Sequence, residues 1–151
     1  MDTITNERIA GDVRDTLARD PRIPHPQEIA VESQDGMATL RGTVGSFSQL
    51  RAAVAAAKRT PGVYDVYDEL KVRLLDADRR VDAEIRGAAL QRLAWDPGLP
   101  ADDIDVKVDD GWLTLTGRVD HQYQSDLAFD HVASLYGVLG VTNDLKVVEM
   151  L

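Results

Sequence analysis

The chain holds three histidines, His25, His121 and His131, and no cysteine. If one helix carries both His121 and His131, about 15 Å of rise separates them, too far to share a metal ion. They read as solvated or structural imidazoles. The carboxylates of Asp102, Asp103, Asp105, Asp109 and Asp110 crowd one stretch, as calcium ligands do. That stretch lacks the loop glycine and bidentate glutamate of an EF-hand, and part of it reads as strand. No metal site is assigned. The sequence has no phosphate-binding loop, no G-x-G-x-x-G after a strand, no nucleophile elbow and no Cys–His pairing. Without a nucleophile, a base or a cofactor loop, the chain reads as a non-enzyme with no cofactor.

What remains is contact chemistry. Arg51, Ala55, Lys58 and Arg59 fall at i, i+4, i+7 and i+8 of a helical segment and form a basic stripe. Seventy-five residues on stand Asp126, Asp130, Ala133 and Ser134. The same surface would then be basic in one place and acidic in the other. Such faces are either simply solvated or docking surfaces, between halves of the chain or between chains. Trp95 closes a helical segment and reads as core. Trp112 points away from the core by strand parity and reads as a contact residue.

Charge limits the partners. Residues 1–75 carry 10 Lys and Arg against 11 Asp and Glu; residues 76–151 carry 7 against 15. The net charge of −9 repels nucleic acid and anionic lipid in bulk, so contact with either needs a local patch. Nucleic acid is excluded as a partner. The chain has no run of about 18 apolar residues, as a membrane span would need. The start, Met1-Asp2-Thr3-Ile4-Thr5-Asn6-Glu7-Arg8, lacks the basic and apolar regions of a signal peptide. Read as complete, that predicts a cytoplasmic protein; with a signal already removed, a periplasmic one.

The elements that position these residues are written twice. Asp35-Gly36 and Asp110-Gly111 each stand between alternating apolar runs, the signal of a hairpin with a type I′ turn. Taking them as the turn residues pairs Gln34 with Met37 and Val31 with Leu40. It likewise pairs Val108 with Leu113 and Val106 with Leu115. Gly42 and Gly117 then face Ile29 and Ile104 on the inward side, which suggests a close approach by a helix or another backbone, or a simple bend. Ile9, Val13 and Leu17 repeat as Ile85, Ala89 and Leu93; Asp20-Pro21 repeats as Asp96-Pro97.

The spacing predicts a helix over 5–18 capped by Thr5, a strand over 28–33 and a strand over 37–44. Next comes a helix from a Ser46–Gln49 capping box to about Thr60. Its inward residues are Phe47, Leu50, Val54 and Ala57. A last strand runs over 63–72 with Val66, Leu70 and Val72 inward. Asp68 shares that face as a bulge or side-chain contact to backbone. Arg73 to Asp78 form a short junction. The series then restarts: a helix over 79–95, strands over 104–108 and 112–119, a helix over 121–136 capped by Asp120, and a final strand. Asn143 takes the place of Asp68. The fold class is α+β, two α-β-β-α-β repeats over 1–75 and 76–151. In each, two helices pack on one face of a three-stranded mixed sheet. The other face carries Glu32, Thr39, Arg41 and Thr43 in the first repeat. In the second it carries Lys107, Trp112, Thr114, Thr116 and Arg118.

This doubled order of helix, Asp-Pro, strand, Asp-Gly, L-x-G-x-V, helix and GV-x-x-V-x-N/D-x-L-x-V resembles the BON domain (bacterial OsmY and nodulation). The resemblance covers nearly the whole chain, and Gly111 to Gln124 match best. It implies a non-enzymatic module that binds phospholipid or maintains the envelope under osmotic stress. The alternative is a soluble stress protein that binds a small ion or self-associates through its helix faces. The residues picked out for contact are Arg51, Lys58, Arg59, Trp112, Asp126 and Asp130, with Gly36, Gly42, Gly111 and Gly117 structural. The expected partners are a membrane surface, envelope proteins or a second copy.

Overall fold

A computed structural model describes residues 2–76 and 79–148. The chain divides into two compact units between Arg73 and Leu74. Of the junction read from the sequence, Ala77 and Asp78 lie outside the described residues.

The first unit runs α1 (Thr3–Arg19), β1 (Ile29–Gln34), β2 (Met37–Val44), α2 (Phe47–Arg59) and β3 (Asp65–Val72). The second runs α3 (Asp82–Trp95), β4 (Ile104–Asp109), β5 (Trp112–Val119), α4 (Gln122–Ala133) and β6 (Gly140–Val147). A short 3-10 turn, Pro26–Glu28 or Ala101–Asp103, precedes each hairpin. Each sheet is three-stranded, with the middle strand antiparallel to the first and parallel to the third.

The hairpins form because Asp-Gly accepts positive φ at both turn positions: 51° and 87° at Asp35-Gly36, 47° and 83° at Asp110-Gly111. That turn fixes the register. Val31 pairs with Leu40 and Ile29 with Gly42; Val106 pairs with Leu115 and Ile104 with Gly117. All the non-glycine members of these pairs are buried. They meet Ile9, Val13 and Leu17 of α1, or Ile85, Ala89 and Leu93 of α3, at helical spacing.

Gly42 and Gly117 make room for backbone, not for a helix. A Cβ on either would stand 2.0 Å from a carbonyl oxygen, that of Glu28 or Asp103, and their φ angles are +131° and +120°. There the second strand of each hairpin passes close over the end of the 3-10 turn that leads into the first.

Several boundaries differ from the sequence reading. Asp2, not Thr5, caps α1: its Oδ1 accepts the Thr5 N–H at 2.7 Å, and a carboxylate suits the positive end of the helix. The α3 helix starts at Asp82 rather than Arg79, with Asp82 and Glu84 in its first turn, where two arginines would oppose the dipole. His121, not Asp120, caps α4, and Gln124 Oε1 accepts both the Asp120 and the His121 N–H. The helix ends at Ala133 because the chain must turn through Gly137 at φ +86°. In α2, Ser46 Oγ accepts the Gln49 N–H, while Gln49 Oε1 reaches back to Gly45.

The buried face of α2 is Ala52, Ala53, Ala56 and Ala57. Leu50 and Val54 flank it half-buried, as does Phe47. Small side chains let this helix lie close on the sheet, and the larger ones pack around the contact. The third strand of the first unit begins later than read, at Asp65; that of the second runs from Gly140.

Candidate functional site

Three places in the molecule gather residues with something to offer a partner. The first is the open face of the second sheet. On it the rows run Asp109–Trp112–Gly140, Lys107–Thr114–Thr142, Asp105–Thr116–Asp144 and Arg118–Lys146. Trp112 points outward as its parity requires and keeps 48% of its surface exposed. Two features fix it. Its indole N–H donates to Thr142 Oγ1 at 2.7 Å, and its ring lies over Gly140, where a Cβ would come within 2.3 Å of it. A tryptophan held outward in one orientation has its side-chain entropy already spent. Lys107, Arg118 and Lys146 are exposed on the same face and make no ion pair among the described residues. The first sheet has Glu32 and Thr43 where the second has Lys107 and Arg118. There Arg41 is committed to Glu69 and Glu32.

The second place is the helix stripe. Arg51 is half-buried, while Lys58 and Arg59 are exposed at the end of α2. Arg59 reaches Asp20 at 3.5 Å. In the second unit Asp126 accepts from Gln122 at 3.1 Å and Asp130 is exposed. Ala133, read as part of the acidic counterpart, is instead 1% exposed, because α4 ends there and turns inward. The acidic face is therefore shorter than the basic one.

The third is a corner that both units share. Asp20 stops α1 and its side chain is 4% exposed. It accepts the Arg22 backbone N–H at 2.9 Å and the Arg22 side chain at 3.0 and 2.7 Å, besides Arg59. The Arg22 guanidinium, then its backbone N–H, hold the Asp20 carboxyl far below the usual carboxylate range. In the second unit Asp96 occupies the same corner. It accepts His131 Nε2 at 2.7 Å and the Gly98 N–H at 2.8 Å. An ionised carboxylate only accepts, so Nε2 carries the proton. The imidazole first, and Gly98 second, lower the Asp96 carboxyl from its ordinary 3.8.

His131 is thus a structural histidine, and His121 stacks on Tyr123 with centroids 5.5 Å apart. Of the acidic stretch, Asp109 and Asp110 come together with Asp82, their oxygens within 4.8 Å of one another. Both Asp82 oxygens already accept turn N–H groups, from Asp110 at 2.9 Å and Gly111 at 3.0 Å. Asn6 does the same for Asp35 in the first unit, so Asp82 is a turn anchor. Asp105 accepts from Val106 and Arg86.

Trp95 is not core. It is 79% exposed, because it lies two positions, about 200° of helical rotation, beyond buried Leu93. The sequence reading missed the corner network, since its arginine and histidine partners lie 35 to 39 residues away. The local signal was Asp20-Pro21-Arg22, a carboxylate and a guanidinium two residues apart across a proline. Among the described residues, no helix is long and apolar enough to cross a membrane.

The BON domain family matches this chain twice, over residues 5–73 and 81–149. Osmotically-inducible protein Y of Escherichia coli is 36% identical over 79% of this chain, and the chain spans 61% of that relative's length. Outer membrane lipoprotein DolP of Haemophilus influenzae is 26% identical over 97% of this chain and 76% of its own. The C-terminal domain of CdsD, a structural protein of the type III secretion system of Chlamydia trachomatis, gives a TM-score of 0.39 at 14% identity. That likeness covers 94% of this chain and 66% of that one, and nothing further rests on it. With both units matched, helices, hairpins and turns included, the chain belongs to the BON domain family as a tandem pair.

Proposed function

We propose that this chain is a non-enzymatic binding module of the cell envelope. It docks through the open face of its second sheet on a phospholipid surface, or on a protein held there, in osmotic or stress protection. The names of its relatives, one osmotically inducible and one an outer membrane lipoprotein, support the setting. The observation that carries the reading is Trp112, pinned outward among Lys107, Arg118 and Lys146 in a unit that is otherwise strongly acidic. Three cations near an anionic surface are worth about 1 kcal/mol each at low salt, but Asp105, Asp109 and Asp144 stand on the same face and offset much of it. A chain of net charge −9 offsets part of that. Binding is therefore weak, salt-sensitive and dependent on the tryptophan.

The test is co-sedimentation with vesicles of phosphatidylcholine, with and without phosphatidylglycerol. The expected result is pelleting with the anionic vesicles only. It should fall when salt rises, with Trp112→Ala, and with Lys107→Gln plus Arg118→Gln. No pelleting with either vesicle rejects the lipid form of the proposal. Pelleting that these variants leave unchanged rejects this face.

A further inference from the structure

The corner around Asp20 holds more positive charge than its structural task needs. In the second unit one imidazole and one backbone N–H suffice for Asp96. In the first unit Arg22 and Arg59 hold a single carboxylate, and with Arg19 and Thr16 they line an open cleft of about 370 Å³. Arg22 and Arg59 both reach Asp20 Oδ2, at 2.7 and 3.5 Å. Arg19 makes no ion pair among the described residues. The three guanidinium groups set against Asp20 leave two positive charges. The C-termini of α1 and α2, where Arg19 and Arg59 stand, count for roughly half a negative charge each. About one unit of positive charge is left over, in a concave place. The buried carboxylate also holds Arg22 and Arg59 in position while leaving both side chains more than half exposed.

From this we infer that the Arg19–Arg22–Arg59 cleft binds a phosphate-type oxyanion. Guanidinium forks match tetrahedral oxyanions in charge and in paired donors. The three arginines are not repeated in the second unit. There Trp95, Gly98 and Ser134 replace the three arginines. The one nearby cation, Arg92, stands where the first unit has Thr16 and is spent on the His131 carbonyl and Ser134. The repeat thus supplies its own control.

The experiment titrates the full chain, with amide NMR shifts recorded residue by residue, against inorganic phosphate at constant ionic strength set with chloride. Saturable shifts should appear at Thr16, Arg22, Arg59 and Thr60, and not at Arg92 or Ser134. Arg19→Gln, which breaks no ion pair, should weaken binding about fivefold. Adding Arg59→Gln should weaken it more than twentyfold, with the fold verified by the unchanged remainder of the spectrum. Lys71→Gln, at an exposed cation outside the cleft, should leave phosphate binding untouched. A parallel titration with phosphatidylglycerol vesicles distinguishes the source. Shifts at these residues that vesicles also produce, and Arg19→Gln abolishes, assign a lipid headgroup; shifts with soluble phosphate alone assign a free anion. If neither probe gives saturable shifts at the cleft, or if Arg19→Gln and Arg59→Gln change nothing, the inference is overturned. Because this readout is confined to the first unit, its failure leaves the Trp112 face standing, and the reverse.

Discussion

Asp20 and Asp96 do the same structural job with different chemistry. Each stops the first helix of its unit and ties the chain behind it to the end of the second helix. Asp20 is held by guanidinium groups that stay charged at every accessible pH. Asp96 is held by an imidazole. The difference teaches that the BON fold fixes the need for an acceptor at this corner, not the donor that satisfies it. The donor is then available for other purposes: in the first unit, for surplus positive charge.

If the two units are built alike, the largest effects should be the same in both. Gly42→Val and Gly117→Val each force a side chain onto a carbonyl oxygen at an unfavourable φ. Overpacking and backbone strain together should cost about 3–5 kcal/mol, read as loss of the corresponding unit in denaturant unfolding. A large effect in only one unit would break the equivalence.

The next test separates the corners. Asp20→Ala removes a buried acceptor of several charge-assisted bonds and should cost about 2 kcal/mol. Native-state hydrogen exchange should confine that loss to the first unit; a loss shared by both would mean the corners are not local. A smaller contrast lies in the third strands. Asn143 donates to the Ser125 carbonyl and hydroxyl, at 3.3 and 2.9 Å, which Asp68 cannot do for Leu50 at the equivalent place. Asn143→Asp should cost about 1 kcal/mol, whereas Asp68→Asn should stay within about 0.5 kcal/mol, both by chemical denaturation.

The smallest effect is in acid. A carboxyl whose folded pKa is lowered stabilises the fold above its unfolded value, and the contribution fades as pH falls through the folded one. Both aspartates are lowered from 3.8, Asp96 chiefly by His131. His131→Gln should therefore make the second unit's stability less steep in pH below about 4 and leave the first unit's slope alone. Amide signals of the two units, followed through an acid titration, report each slope separately.

The hairpin register could be read from sequence because it is set within ten residues, by a turn only Asp-Gly fills easily. The doubled order of elements was legible for the same reason, and Trp112's outward position followed from parity. The alanine face of α2 was not legible, since hydrophobicity ranks Phe47, Leu50 and Val54 above the alanines, while helix-to-sheet distance favours the small ones. Trp95 misled because a tryptophan at a helix end looks like core until its angle from Leu93 is counted. The Asp20 and Asp96 corners were read only as helix stops. Arg22 and Gly98 are local partners, but Arg59 and His131 come from another helix, and nothing local specifies that meeting.

Three of the four strands with one free side share a device. On β3, Asp65 accepts the Val66 N–H and Asp68 the Leu70 N–H; on β4, Asp105 accepts the Val106 N–H; on β6, Asn143 accepts the Leu145 N–H. An outer strand normally offers a row of unsatisfied donors to any extended peptide, including another copy of itself. Here short polar side chains of the same strands already occupy some of those donors. Two small sheets, each with two borders, are then less open to strand addition where these side chains stand.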